Sequence, residues 1–183
     1  MGFWIFLAIV AAIVLYFIAI YNKFVSLQAA IDSSWSDIDV QLKRRANLIP
    51  ALVKTVKSYK NYEQETLDKV IRARQRCEEA KNVKEQAEAQ NALTHALGGL
   101  FALAEAYPDL KADTQFSKLQ NELATIEEAI QNARRYYNAV VRDYNAKLRS
   151  FPDLLVANRF NFTERDYFEL EEPSERKMPD IDL

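Results

Sequence analysis

The chain has 183 residues, 49% of them apolar and 27% charged, with a formal net charge of -2. That is enough for one domain with a core, too apolar for a disordered chain, and without the basic surplus of a general nucleic-acid binder. Three glycines and five prolines argue against a turn-rich β fold, and a single Cys77 with a single His95 excludes a disulfide framework and a Cys/His zinc site.

Residues Phe3 to Ile20 read FWIFLAIVAAIVLYFIAI, without a charge, glycine or proline. As a helix they span about 27 Å, close to the ~30 Å hydrocarbon core of a bilayer. Trp4 at one end, and Tyr16 and Tyr21 at the other, suit the aromatic belts of the two interfaces. A cleaved signal peptide needs a positive leader and a small-x-small site, whereas only Met1 and Gly2 precede this run and YNKFVS follows it. The expectation is an uncleaved anchor over 1–21 that meets the bilayer through residues 3–20. Lys23 flanks its C-terminal side. The positive-inside rule then puts a short N-terminus outside and the rest of this single-pass chain in the cytoplasm.

From Ile31 the apolar positions follow a heptad: Ile31, Trp35, Ile38, Leu42, then Ile49, Leu52, Val56 and Tyr59. Arg45 fills the missing slot. Either its stem packs while its head reaches water, or an acidic group such as Glu127 meets it. No glycine or proline lies between Phe3 and Ile49, so the apolar helix runs straight into the first bundle helix, which Pro50 is expected to kink or restart. Asn61 marks a turn. The second helix is predicted over Tyr62 to Lys81, with Leu67, Val70, Ile71, Arg74 and Cys77 on one face, and Asn82 as a turn or cap. The third is predicted over Lys84 to Tyr107, carrying Leu93, Leu97, Leu100, Ala104 and Tyr107 and ended by Pro108. Gly98 and Gly99 inside it cost about 1 kcal/mol each against alanine, for which a close helix contact is the expected reason. YPDLKAD then makes a turn, with Asp113 as N-cap. The fourth helix carries Phe116, Leu119, Leu123, Ile126, Ile130, Ala133, Tyr137, Val140, Tyr144 and Leu148, and closes before Pro152.

This is an all-α chain: an N-terminal transmembrane helix, then an antiparallel up-down bundle of two long and two shorter helices over 22–163, with coiled-coil-like seams. By helix lengths the chain after Pro152 returns toward the membrane surface. That stretch, FPDLLVANRFNF, either caps the open end of the bundle or rests on lipid, with Leu154, Leu155, Phe160 and Phe162 as the candidate interface residues. The tail over 164–183, with eight acidic and three basic residues and with Pro173 and Pro179, reads as a solvated end.

Catalytic patterns are not evident. Gly98 and Gly99 do not form a phosphate loop, there is no HExxH, and the residue three before His95 is Ala92 rather than the glutamate of a di-iron bundle. Cys77 reads as packing. Asp32, Asp37 and Asp39 form a small acidic group. Asp32, Ser36, Asp39 and Lys43 share one helix face, which internal pairing explains. No catalytic, cofactor-binding or metal-binding residue is assigned.

Three blocks nevertheless carry a resemblance. WSDIDVQLKRRANLIPALVKTVK (Trp35 to Lys57), LFALAEAYPDLKADTQFSKLQNEL (Leu100 to Leu123) and ARRYYNAVVRDYNAKLRSFPDLLVANRFNF (Ala133 to Phe162) are similar to the signature stretches of LemA-family proteins. The chain departs from that pattern at Ala46, Asn47 and Ala51, where the family often has a Tyr-Asp pair and a following Asn. The resemblance implies a bacterial or archaeal protein with one N-terminal transmembrane helix, a cytoplasmic helical bundle and no established enzyme activity. A non-enzymatic scaffold or adaptor at the cell membrane is the first functional expectation. Its partner surface would include Lys43 and Arg44 of KRRANLIP, and Pro108, Asp109 and Lys111 of YPDLKAD. Its partners would be unidentified proteins, self-association included, and not nucleic acid. The alternatives are a membrane-shaping protein that uses 151–162, and a carboxylate-metal hydrolase, which would need oxygen ligands from another helix.

Overall fold

A computed structural model describes residues 1–59 and 64–169. The expected turn at Asn61, the start of the second helix at Tyr62, and the tail from Leu170 with Pro173 and Pro179 lie outside these residues. The described elements are all helical: α1 (Gly2–Lys57), α2 (Gln64–Glu79), α3 (Val83–Glu105), α4 (Pro108–Lys111), α5 (Thr114–Arg149) and α6 (Asp153–Arg159). The two long and two shorter helices are as expected. Two short ones are added, one inside YPDLKAD and one inside FPDLLVANRFNF.

The described residues form two compact units, residues 1–39 with 132–166, and residues 40–59 and 64–131 with 167–169. In the first, α1 and α5 run antiparallel: Phe24 meets Tyr144 edge to face at 5.9 Å, and further up α1 Trp35 meets Tyr137 at 5.6 Å. Phe24, Ile31, Ile38, Tyr137, Val141, Tyr144, Leu148 and Val156 are buried there. The stretch 3–20 of α1 is almost wholly exposed, and α1 is long and apolar enough there to cross a membrane. In the second unit Ile49, Leu52 and Val56 of α1 pack with Leu67 and Val70 of α2, Leu93, Leu97 and Leu100 of α3, and Phe116, Leu119 and Leu123 of α5.

Local chemistry sets the helix starts. Asn82 caps α3, its side chain accepting from the Glu85 N–H at 2.9 Å, while the Glu85 carboxylate accepts from the Lys81 N–H just before the cap. Asp113 caps α5 by accepting from the Phe116 N–H at 2.8 Å.

Three expectations are corrected. Pro50 does not restart α1, which runs unbroken to Lys57. Gly98 and Gly99 mark no close approach: both are exposed, and a Cβ on either would meet nothing within 4 Å. In the last turns of α5 the fully buried residue is Val141, not Val140. Successive steps of four, Ala133 to Tyr137 to Val141, correct the drift that a strict heptad accumulates on a helix of 3.6 residues per turn.

Candidate functional site

Two regions hold the residues singled out above, one in each unit. In the first, α5 ends at Arg149, the Phe151–Pro152 peptide bond is cis, and α6 begins at Asp153, paired with Lys147 at 3.3 Å. The helix ends in a Schellman turn. Asn161 takes the left-handed conformation (φ 56°), the Phe160 N–H donates to the Val156 carbonyl, and the Phe162 N–H donates to the Ala157 carbonyl. Asparagine is the residue after glycine best suited to that turn. The turn aims two aromatic rings at α1. Phe162 stacks on Phe24 at 4.9 Å and lies 5.8 Å from Tyr21, while Phe160 lies 4.8 Å from Tyr21. The chain beyond is clamped along α5: Asn145 donates to the Arg165 carbonyl at 2.9 Å and accepts from its N–H at 3.0 Å, and the Tyr137 hydroxyl donates to the Asp166 carbonyl at 2.9 Å. Arg165 also reaches Asp32 of the acidic group at 3.9 Å.

The structure therefore divides the segment. Val156, Ala157 and Phe162 face inward and cap the packing of α1 on α5. Phe151 (80% exposed), Leu154 (37%), Leu155 (50%) and Phe160 (54%) face outward. Of the four candidate interface residues, three are outward and Phe162 is a packing residue.

In the second unit the seam position Arg45 is 3% exposed. Its Nη2 lies 3.2 Å from Glu127 Oε2 and donates to Thr94 Oγ1 at 2.8 Å, and its Nη1 donates to Gln90 Oε1 at 3.3 Å. Its Nε has no partner among the described residues. Burial lowers the guanidinium's pKa and Glu127 opposes that effect, as a paired buried cation requires. Of the two readings of Arg45, the structure has the ion pair. Gln90 and Thr94 were missed, although a glutamine and a threonine on the apolar third helix were the available signal.

Pro50 leaves a second polar obligation. It has no N–H for the Ala46 carbonyl one turn back. Arg74 Nε of α2 donates to that carbonyl at 3.1 Å, and its Nη2 pairs with Glu78 at 2.7 Å. An arginine in the apolar stripe of the second helix was the sign of this role. Beside it an apolar groove of about 380 Å³ is lined by Ile49, Pro50, Val53 and Ile71, with Lys54, Lys57 and Arg74 around it.

Lys43, Arg44, Pro108, Asp109 and Lys111 are all exposed. Arg44 bonds Gln41 at 3.2 Å and Lys111 pairs with Glu105. They do not form one surface. The Tyr59 hydroxyl donates to Asp113 at 2.7 Å, placing YPDLKAD at the end of α1, about 24 Å along the helix from Lys43. Cys77 is buried against this core, and burial pushes its thiol up to about 11, the condition of a packing cysteine rather than a nucleophile. Among the described residues no three His, Cys, Asp or Glu side chains gather as a metal site.

Comparison with known proteins follows the same blocks. The family model described as LemA family matches residues 34–183. The chain is similar to Protein LemA of Metamycoplasma hominis, 27% identical over 162 residues that cover 88% of this chain and 73% of that protein. It is also similar to Magnetosome protein MamQ 2 of Paramagnetospirillum magneticum and Magnetosome protein MamQ of Magnetospirillum gryphiswaldense. Each is 24% identical over 81% of this chain, which spans 64% of their length, just under two thirds.

Proposed function

The chain belongs to the LemA family, and from that premise we propose that it is a membrane-anchored scaffold, working through protein contacts rather than catalysis. The observation that carries this reading is α1. One unbroken helix holds an exposed apolar stretch at 3–20 and, from Ile31 to Val56, the buried seam of the helical body. The helix that carries the apolar stretch also carries the seam, so whatever binds the body is held at the membrane.

Lys43 and Arg44 are the partner contacts we assign. They are adjacent exposed cations on α1. Lys23, just beyond the apolar stretch, supports a cytoplasmic body.

Photo-cross-linking from Gln41 in intact cells tests the scaffold. Lys43→Glu with Arg44→Glu should abolish a discrete cross-linked product while leaving helicity unchanged. The same product in wild type and variant would overturn the assignment. A Lys84→Cys variant in a Cys77→Ala background tests the orientation. Labelling by an impermeant thiol reagent only after permeabilisation supports a cytoplasmic body, and labelling of intact cells puts it outside.

A further inference from the structure

α6 and the turn that ends it sit at one definite level of α1. The apolar stretch ends at Ile20, and the very next residue, Tyr21, carries the ring of Phe160 at 4.8 Å. One turn on, Phe24 carries the ring of Phe162 at 4.9 Å. If residues 3–20 fill the hydrocarbon core, Tyr21 stands where that core gives way to headgroups. Anything fixed to Tyr21 stands there too.

The outward surface of α6 has the chemistry of that layer. Leu154 and Leu155 lie opposite the buried pair Val156 and Ala157, so this short helix is amphipathic across its axis. Phe151 precedes it and Phe160 follows it, both more than half exposed. Arg159 sits over the Phe160 ring at 5.8 Å, and Lys23 is exposed on α1 two residues past Tyr21. Aliphatic and aromatic groups flanked by cations are what an interfacial helix presents to acyl chains and lipid phosphates. The exposed apolar surface also meets that of α1 at Tyr21, on which the exposed Phe160 ring lies, with Ile18 and Val25 exposed on the same face of α1. A second protein docked on α6 would leave that junction unexplained. A lipid surface covers both with one partner.

We propose that α6 is an interfacial foot: Phe151, Leu154, Leu155 and Phe160 rest in the headgroup layer of the same bilayer that α1 crosses, so that the body meets the membrane at two places. This rests on the reading of 3–20 as a membrane span. Two points of support stop the body from pivoting about a single helix. The Schellman turn at Asn161 and the Asn145 clamp hold the foot against α1 and α5.

The full chain, reconstituted in phosphatidylethanolamine–phosphatidylglycerol vesicles, gives the test. In a Cys77→Ala background, nitroxide labels are placed singly through Ile9→Cys, Leu155→Cys and Lys84→Cys, and collision with oxygen and with a neutral nickel chelate is measured. The Ile9 label should be deep. The Leu155 label should show shallow membrane depth, losing nickel access relative to Lys84 yet remaining shallower than Ile9. In the same vesicles, Leu154→Asp with Leu155→Asp should restore nickel access at a label on Phe151→Cys. A deep Ile9 with a fully aqueous Leu155 overturns the foot and leaves the anchor standing. An aqueous Ile9 overturns the anchor, and the foot with it. A Leu155 label shielded from both reagents, with dipolar broadening, means that a second copy covers α6, and overturns the lipid assignment.

Discussion

Arg74 Nε donates to the carbonyl oxygen of Ala46 at 3.1 Å, and Ala46 is the residue whose acceptor Pro50 cannot serve. A proline in the middle of a helix removes one backbone donor and exposes one carbonyl. Here a side chain from the neighbouring helix replaces the missing donor. This is why α1 can continue to Lys57.

That pairing predicts a coupling. Arg74→Met should destabilise the chain by about 1–2 kcal/mol, the cost of an acceptor left without its partner. In a Pro50→Ala background the backbone N–H returns, and the same change should cost markedly less. Urea unfolding of the four variants in detergent measures this. Equal losses in both backgrounds would mean that Arg74 does not serve the Ala46 carbonyl.

Arg45 and Glu127 should respond unequally. Arg45 is buried, whereas the Glu127 side chain is 32% exposed, so losing the glutamate strands a charge while losing the arginine lets the glutamate hydrate. Glu127→Gln should cost about 2 kcal/mol, and Arg45→Met less. Adding Arg45→Met to Glu127→Gln should recover stability. A double variant that is the sum of its parts would contradict the pair.

Gly98→Ala and Gly99→Ala should each raise stability by about 0.5–1 kcal/mol. Alanine loses less chain entropy than glycine on forming a helix, and its Cβ meets open space here. A rise in melting temperature for each, additive in the double variant, is the expected result. A fall would mean that these positions touch something.

Asp113 should make stability fall in acid. The Tyr59 hydroxyl and the Phe116 N–H both donate to its carboxylate and hold its pKa below the ordinary aspartate value. A depressed folded-state pKa contributes stability above the unfolded value, near 3.9, which is lost as pH falls through the folded one. The same bond raises the pKa of Tyr59, so its contribution holds below the ordinary tyrosine value, near 10, and is lost as pH rises through the raised one. Urea midpoints taken across pH should lose part of their acid slope in Asp113→Asn and part of their alkaline slope in Tyr59→Phe.

Much of this molecule is legible in its residue order. The apolar run Phe3 to Ile20, the seam from Ile31 to Val56, the caps at Asn82 and Asp113 and the stop before Pro152 all follow from spacing along one strand of chain. Such information is local. A helix's period, start and end depend on residues within a turn or two of each other, and on whether their side chains are apolar, branched or able to cap.

What stayed hidden is what one helix does to another. Residue order left Arg45 between water and Glu127, and only the packed helices settled that Glu127, Gln90 and Thr94 share it. It left Pro50 as a kink or a restart, because the donor that replaces the lost one lies on α2, 28 residues away in sequence from the carbonyl it serves. It offered Leu154, Leu155, Phe160 and Phe162 as one surface. The Schellman turn at Asn161 sent Phe162 inward and left the other three outside. Polar obligations and the facing of a short helix depend on atoms brought together across the fold, and no spacing rule along a single helix carries them.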